Sequence, residues 1–103
     1  MARAIIMKAI DNVCTVVETV EPPTEVTAEI DGKTITVLAT ERIPFGHKIA
    51  LQNIPAGQPI IKYGETIGLA TQDIQSGQHV HVHNLESCRG RGDKVAIATR
   101  QDG

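Results

Sequence analysis

A seven-residue pattern occurs three times in this chain and limits the possible folds more than any other feature. It reads IPFGHKI from Ile43, IPAGQPI from Ile54 and IQSGQHV from Ile74. Each copy has an aliphatic residue at both ends and a glycine in the middle, as in a tight turn from which a strand leaves. We place proline at the second turn position, where its fixed φ fits, and glycine at the fourth. With the aliphatic ends anchored in a core, the pattern predicts a small β domain whose hairpins fold back on themselves.

The remainder of the chain also consists of short strand-like runs separated by turn residues, and no window forms a convincing amphipathic helix. Asp31-Gly32 is the strongest hairpin signal, because a type I′ turn needs positive φ at both central residues. The predicted fold class is therefore all-β, with short strands, hairpins and little helix. The candidate strands are Ala4–Met7, Val13–Val17, Val26–Ile30, Thr34–Leu38, Ile49–Gln52, Ile60–Tyr63, Ile67–Thr71, Gln78–His83 and Val95–Thr99.

The composition suits one globular domain over residues 1–103. Hydrophobic residues make up 41% and aromatic residues 2%, so the chain has aliphatic side chains for a core but lacks the rings that stack on nucleic-acid bases. A net charge of −2, with no basic cluster beyond Arg89 and Arg91, also argues against nucleic-acid binding. No stretch approaches the ~20 apolar residues of a membrane helix, and the first residues predict a strand rather than a signal peptide. We expect a cytoplasmic protein in which Cys14 and Cys88 are reduced thiols.

Three of the four histidines alternate with other residues in the stretch GQHVHVHNLE. Because side chains alternate between the two faces of a strand, His79, His81 and His83 would share one face. Alternate residues lie ~6.6 Å apart, so two imidazoles could converge on one ion while the third transfers protons or binds a carboxylate. No zinc-finger or HExxH spacing accompanies them, which disfavours a closed structural zinc site. The residues alone leave an ordinary polar strand face equally open.

Two further stretches place charged groups beside predicted turns. They are Phe45-Gly46-His47-Lys48 and Ile61-Lys62-Tyr63-Gly64. Loops held by tight turns often carry functional groups, and lysine is a suitable point-charge partner for a carboxylate. Taken alone, each stretch is more typical of a solvated lysine beside a turn.

Four motifs in order, DNV, GHKIAL, IKYGETIG and GQHVHVHN, resemble the small SAF-type domain of the altronate/galactarate dehydratase family. The resemblance extends from about Ala9 to Asp93, which leaves 94–103 as a C-terminal strand and tail, and the small subunit of (2R)-sulfolactate sulfo-lyase is similar too. It implies a β-clip fold, in which a long hairpin bends over itself. It also implies a metal-dependent lyase that removes water, or a related leaving group, from a sugar acid. Such a lyase needs a large catalytic subunit, which we expect to be a separate chain, and we expect no activity from this chain alone.

The resemblance favours functional roles for the clustered polar residues. Elimination β to a carboxylate needs a base for the α-proton, cations that stabilise the enediolate, and an acid for the departing hydroxyl. We expect a divalent metal, iron or manganese, in the assembled enzyme, and the isolated chain need not hold it. The expected residues are His47, His79 and Lys62 for catalysis, Lys48, Tyr63 and Asn84 for substrate binding, and His81 and His83 for the metal.

Several alternatives stay open at this point. The chain could be a sulfo-lyase small subunit, a non-catalytic carbohydrate- or substrate-binding SAF module, or a purely structural subunit whose histidines are spectators. The sequence does not decide whether the chain forms homo-oligomers. On the leading hypothesis, the GHK, KYG and HVHVHN stretches meet at one edge of the domain.

Overall fold

The structure is a computed structural model and describes residues 1–87. Within this range the secondary structure consists of nine strands, which confirms the predicted all-β, β-clip-like fold class. No helix in the described range is long and apolar enough to cross a bilayer. The strands are β1 (Ala2–Ile5), β2 (Val13–Val16), β3 (Thr24–Ile30), β4 (Lys33–Ala39), β5 (Lys48–Ala50), β6 (Pro59–Lys62), β7 (Glu65–Ala70), β8 (His79–Val80) and β9 (Leu85–Ser87).

The strands form two sheets. The first has the order β4-β3-β1-β2-β5-β8 and the second the order β6-β7-β9. Neighbouring strands are antiparallel except β1 and β3, which are parallel. Asp31 and Gly32 connect β3 to β4 with φ values of 53° and 76°, which confirms the predicted type I′ hairpin. Tyr63 and Gly64 connect β6 to β7 in the same way, with φ values of 56° and 80°.

The three copies of the repeat form the same turn. Their glycines all have positive φ, 83° at Gly46, 86° at Gly57 and 90° at Gly77. In each copy the residue after the glycine donates its N–H to the carbonyl three residues earlier: His47 to Pro44, Gln58 to Pro55 and Gln78 to Gln75. The turn therefore starts one residue later than predicted, with glycine third, where a type II turn requires positive φ.

Each turn also holds a neighbouring strand in the same manner. In the first copy, Gly46 donates its N–H to the Val16 carbonyl at 3.0 Å, and the Val16 N–H donates to the His47 carbonyl at 3.0 Å. Ala70 and Ala50 are held identically by the second and third copies. The aliphatic ends of the repeats are at most 2% exposed, which confirms that they anchor the turns: Ile43, Ile49, Ile54, Ile60, Ile74 and Val80.

Two apolar clusters make up the core, one under the first sheet and one around β6, β7 and β8. Buried Asp11 and Asn12, from the DNV motif, connect the two parts of the molecule. The Asn12 amide accepts a hydrogen bond from the Ile61 N–H at 2.7 Å and donates one to the Pro59 carbonyl at 2.9 Å. The Asp11 carboxylate accepts the Gly64 N–H at 2.7 Å. The motif therefore fixes the β6–β7 hairpin against the first sheet.

The predicted strand Gln78–His83 is wrong over most of its length, whereas the ends of the other predicted strands within the described range shift by at most two residues. β8 ends at Val80 and a turn follows, closed by a hydrogen bond from the Asn84 N–H to the His81 carbonyl at 3.1 Å. This turn leads into β9, which the sequence did not indicate. Cys88, the RGRGD stretch and the predicted strand Val95–Thr99 lie outside the described residues.

Candidate functional site

All four histidines lie together where β5 and β8 pair. His47 follows the glycine of the first repeat, and His79 follows that of the third by two residues. β5 and β8 are antiparallel with Ile49 opposite His79, which brings His47 beside His79 although they are 32 residues apart in the sequence. His81 and His83 belong to the turn after β8. The third repeat and the turn that follows it thus place the imidazoles of His79, His81 and His83 near that of His47 on the first repeat.

The imidazole rings are in direct contact. Nδ1 of His47 is hydrogen-bonded to Nε2 of His79 at 2.8 Å. The His47 ring also stacks on His81, with centroids 3.9 Å apart and planes inclined by 14°. His83 contacts His79 at 5.1 Å with a tilt of 36°. One nitrogen of the His47–His79 bond must carry the hydrogen and the other must accept it, so at least one of these rings is neutral.

The prediction that His79, His81 and His83 share one face of a strand is wrong, because the strand ends at Val80. Val82, which would have lain on the buried face beside Val80, is 81% exposed. The rings nevertheless cluster, because the turn brings His81 and His83 back toward His79.

Asn84 organises this turn. It is 4% exposed, its Oδ1 accepts the His81 N–H at 3.0 Å, and its Nδ2 donates to the His79 carbonyl at 2.9 Å. In this structure the side chain positions the backbone of His79 and His81, and its role in substrate binding stays a prediction.

The electrostatics of the cluster keep two of its rings neutral. Burial, with a smaller effect of the neighbouring His83 and His47, lowers the pKa of His79 to about 4. Burial also lowers the pKa of His81, followed by the effects of His47 and Lys48. Neutral imidazoles have an unprotonated nitrogen and can act as bases or ligands. His81 Nδ1 is buried and lacks a hydrogen-bond partner among residues 1–87, which marks it as a position for an incoming polar group.

The lysine of the GHK stretch interacts with the histidines, and the lysine of the KYG stretch interacts with that lysine. Burial lowers the pKa of Lys48, and the positive charge of Lys62 lowers it further. Lys62 Nζ is 4.9 Å from the centroid of the Tyr63 ring, and both residues line a pocket together with Leu85. The GHK and HVHVHN stretches are therefore in contact, and KYG is within electrostatic range of Lys48.

Two sets of side chains in the described range place potential metal-binding atoms within 4.8 Å of one another. One set is His47, His79 and His81, and the other is Glu41, His79 and His83. The expected ligand pair, His81 and His83, falls in different sets. Sequence reasoning missed Glu41, since it belongs to no motif and its only signal is its position two residues before the first repeat.

Residues 2–88 match the family described as the altronate/galactarate dehydratase SAF domain. The chain belongs to this family. Its match covers the whole described range, so the resemblance drawn from the four motifs is confirmed.

Individual relatives place this SAF domain within larger enzymes. Altronate dehydratase of Escherichia coli (strain K12) is 41% identical over 79 residues, which are 77% of this chain and 15% of the relative. Altronate dehydratase of Bacillus subtilis (strain 168) is 47% identical over 53 residues, 52% of this chain and 11% of the relative. The (2R)-sulfolactate sulfo-lyase subunit alpha of Paracoccus pantotrophus is 42% identical over 59 residues, 57% of this chain and 88% of that subunit. The chain thus spans a small part of these dehydratases and most of the sulfo-lyase subunit.

The four motifs have separate tasks in the SAF domain. DNV holds the β6–β7 hairpin in place, and IKYGETIG forms that hairpin. GHKIAL and GQHVHVHN contain two of the three repeat turns, and these two turns carry the histidine cluster. The position equivalent to His47 in the remaining repeat is occupied by Gln58, which offers no imidazole.

Proposed function

We propose that this SAF domain acts as the small subunit of a sugar-acid dehydratase, eliminating water β to a carboxylate at a site completed by a large catalytic chain. The contact of four imidazoles beside Lys48 is the observation that carries the proposal. Family membership supports a role in a lyase, because its named members include altronate dehydratases.

The His47–His79 pair suits proton transfer. His79 is neutral at neutral pH and can accept a proton on a ring nitrogen, and the 2.8 Å bond lets the pair share that proton. Elimination needs a proton to leave the α-carbon and another to reach the departing hydroxyl. A hydrogen-bonded pair of imidazoles can serve both needs with little movement.

The lysines suit the anionic part of the substrate. Lys48 is half-buried next to His81, whose Nδ1 lacks a partner, so a carboxylate there would meet an ammonium and a possible imidazole donor. Lys62 adds a second positive charge, which favours the enediolate that forms when the α-proton leaves. Tyr63 lines a pocket together with Lys62 and offers a phenol for a substrate hydroxyl.

The donor types fit the divalent iron or manganese expected for the family. His79 and His81 are held neutral by burial, as ligation requires, and imidazole is an established ligand of iron. Candidate ligands include the expected His81 and His83. A bound ion would act as a Lewis acid on substrate oxygens. Ligands from this chain alone leave coordination positions open, so the substrate and the large subunit have room to complete the site.

The test is reconstitution with a large dehydratase chain of the same family. We expect dehydration of altronate or galactarate only when both chains are present, because the pocket lined by Lys62 and Tyr63 is open to solvent and needs a further surface to enclose a substrate. Replacing His79 with Gln should lower kcat by about 10²-fold or more, as expected for loss of a general acid–base group.

Gln58→Ala is the matched control, because Gln58 follows the glycine of an equivalent turn but lies outside the cluster. Turnover by the single chain would contradict the partnership. Full activity of His79→Gln in the assembled enzyme would contradict the catalytic role.

One observation favours a second candidate, a sulfo-lyase subunit. The match covers 88% of the P. pantotrophus subunit, whereas it covers 15% of the E. coli altronate dehydratase. The same reconstitution with (2R)-sulfolactate, measured as sulfite release, separates this candidate from a dehydratase.

A further inference from the structure

We propose that Glu41, His79 and His83 form a divalent-cation site on this chain, in which the Glu41 carboxylate determines which ion binds. The inference deepens the proposed function and rests on it for the use made of the ion. The site itself depends only on the geometry of residues within the described range.

The donor atoms are already close to ligating positions. One donor atom from each residue lies within 4.8 Å of the other two. Three ligands of one ion, each ~2.1 Å from it and at near-tetrahedral angles, are ~3.4 Å apart. Closing the remaining gap needs a shift of up to about 1.4 Å, which rotamer changes of an exposed side chain such as His83 can supply.

Charge separates this set from the all-imidazole set of His47, His79 and His81. An ion in the all-imidazole set would lack an anionic ligand. In the proposed set, the Glu41 carboxylate offsets one of the two charges of the ion.

Ring orientation points the same way. The three rings of the all-imidazole set are inclined to one another by only 11° to 19°, so their lone pairs lie in nearly parallel planes. His47 and His81 are stacked with centroids 3.9 Å apart, so one ion cannot lie in the planes of both rings. His79 and His83 are tilted by 36°, which lets their lone pairs approach a common centre.

The His47–His79 hydrogen bond gains a defined role in this arrangement. An imidazole can ligate through one ring nitrogen while the other nitrogen forms a hydrogen bond that fixes the ring and its tautomer. His47 supplies that bond at 2.8 Å. With an ion bound, both nitrogens of His79 are occupied, so His47 is the member of the pair that exchanges a proton with the substrate, and His79→Gln removes an ion ligand as well as one partner of that pair.

Glu41 is held where the site needs it. On one side, the Thr40 N–H donates to the Gly77 carbonyl at 3.0 Å, and Gly77 lies two residues before His79. On the other side, Ile43 and Val20 exchange backbone hydrogen bonds at 2.8 and 2.9 Å. The adjacent Arg42 forms an ion pair with Glu21 at 3.0 Å, which directs its guanidinium to another carboxylate.

Two imidazoles and one carboxylate, with open positions beyond them, suit Mn²⁺ and Fe²⁺. Mg²⁺ and Ca²⁺ prefer sites built from oxygen atoms. Two histidines without a carboxylate would favour softer divalent ions such as Zn²⁺, Cu²⁺ and Ni²⁺. The carboxylate is therefore the ligand that makes the site suitable for Mn²⁺.

The test titrates Mn²⁺ into the purified full chain and follows loss of the free-ion electron paramagnetic resonance signal. We expect one bound ion per chain. Glu41→Gln keeps the shape of the side chain and removes its charge, and should raise the Kd by about 10-fold or more. His83→Ala should do the same. Glu29→Gln, an exposed glutamate on β3, is the matched control and should leave the Kd unchanged.

Thermal unfolding of each variant checks that it is folded. Two results would overturn the inference: Glu41→Gln binding Mn²⁺ as tightly as the unaltered chain, or His81→Ala weakening binding as much as Glu41→Gln, which would place the ion in the all-imidazole set. Neither result involves substrate or partner. An assembled enzyme inactive on sugar acids would overturn the proposed function and leave the cation site intact.

Discussion

A single methyl group added at Gly77 should destabilise the protein far more than the same methyl group at Gly57. Each glycine occupies the third position of its own repeat turn, with φ values of 90° at Gly77 and 86° at Gly57. An L-residue in the left-handed region costs about 1–2 kcal/mol, and this cost applies equally to both alanine variants.

The difference comes from the space around each glycine. A Cβ at Gly57 would meet no atom within 4 Å, whereas a Cβ at Gly77 would lie 2.0 Å from the Leu38 carbonyl oxygen. An ordinary contact needs at least 3.4 Å, so the backbone of β4 must move by more than an ångström. That movement strains the bonds from Gly77 to Thr40 and Ala50, each worth about 0.5–1.5 kcal/mol. With the overpacking cost of about 1–3 kcal/mol, Gly77→Ala should be less stable than Gly57→Ala by about 2 kcal/mol or more.

Urea denaturation followed by far-ultraviolet circular dichroism measures the two free energies of unfolding. The chain has no tryptophan, so circular dichroism is a more suitable probe than fluorescence. Equal midpoints for the two variants would refute the steric argument. A large loss in both would show instead that the turn itself tolerates no side chain at this position.

Three further outcomes are expected. The fold should become less stable as the pH falls from 6.5 to about 4, because His79 is protonated at its ordinary pKa of 6.5 in the unfolded chain but stays neutral down to about 4 in the folded state. Urea titrations across this pH range measure the free energy of unfolding. If His79→Gln shows the same steep dependence of that free energy on pH, the assignment to His79 is contradicted. Cys14 should resist alkylation by iodoacetamide in the native state, because burial raises the pKa of its thiol to about 12. In a Cys88→Ser variant, labelling of Cys14 should begin only when the protein unfolds. Rapid labelling of the native protein would contradict this expectation. Asn12→Ala should lower the free energy of unfolding by about 2–4 kcal/mol, because it leaves two backbone groups of β6 without partners. Asn53→Ala loses one hydrogen bond in an exposed loop and should lower it less in the same urea assay.

The parts of the fold that sequence patterns predicted are those governed by local rules. Asp31-Gly32 specifies its hairpin because only a few residues accept positive φ at consecutive positions. The aliphatic ends of the repeats are buried because each turn directs its ends into the core. These features need no knowledge of which strands pair.

The failures arise where a short polar side chain or a distant strand decides the structure. Alternation of His79, His81 and His83 looks like a strand, but the Asn84 amide bonds the local backbone and stabilises a turn instead. β9 has three residues and depends on β7 for its pairing, so its own sequence carries little signal.

The candidate site was only half visible from the sequence for the same reason. The clustering of His81 and His83 near His79 follows from proximity in the chain. The contact with His47 depends on the pairing of β5 and β8, and the approach of Glu41 depends on the bonds between Thr40 and Gly77. Neither pairing has a local signature, and only the co-occurrence of family motifs indicated that the first and third repeats meet.

The three equivalent turns also separate the residues that fold this domain from the residues that we propose to react. The first two positions after the glycine are His47-Lys48 in one copy, Gln58-Pro59 in the next and Gln78-His79 in the third. The backbone hydrogen bonds that define the turn are the same in all three, whichever side chains stand there. Evolution can therefore exchange chemistry at these positions at little cost in stability, and Gln58 shows the same backbone without a reactive group. Enzymes that share this scaffold are free to diverge in substrate while inheriting one way of folding.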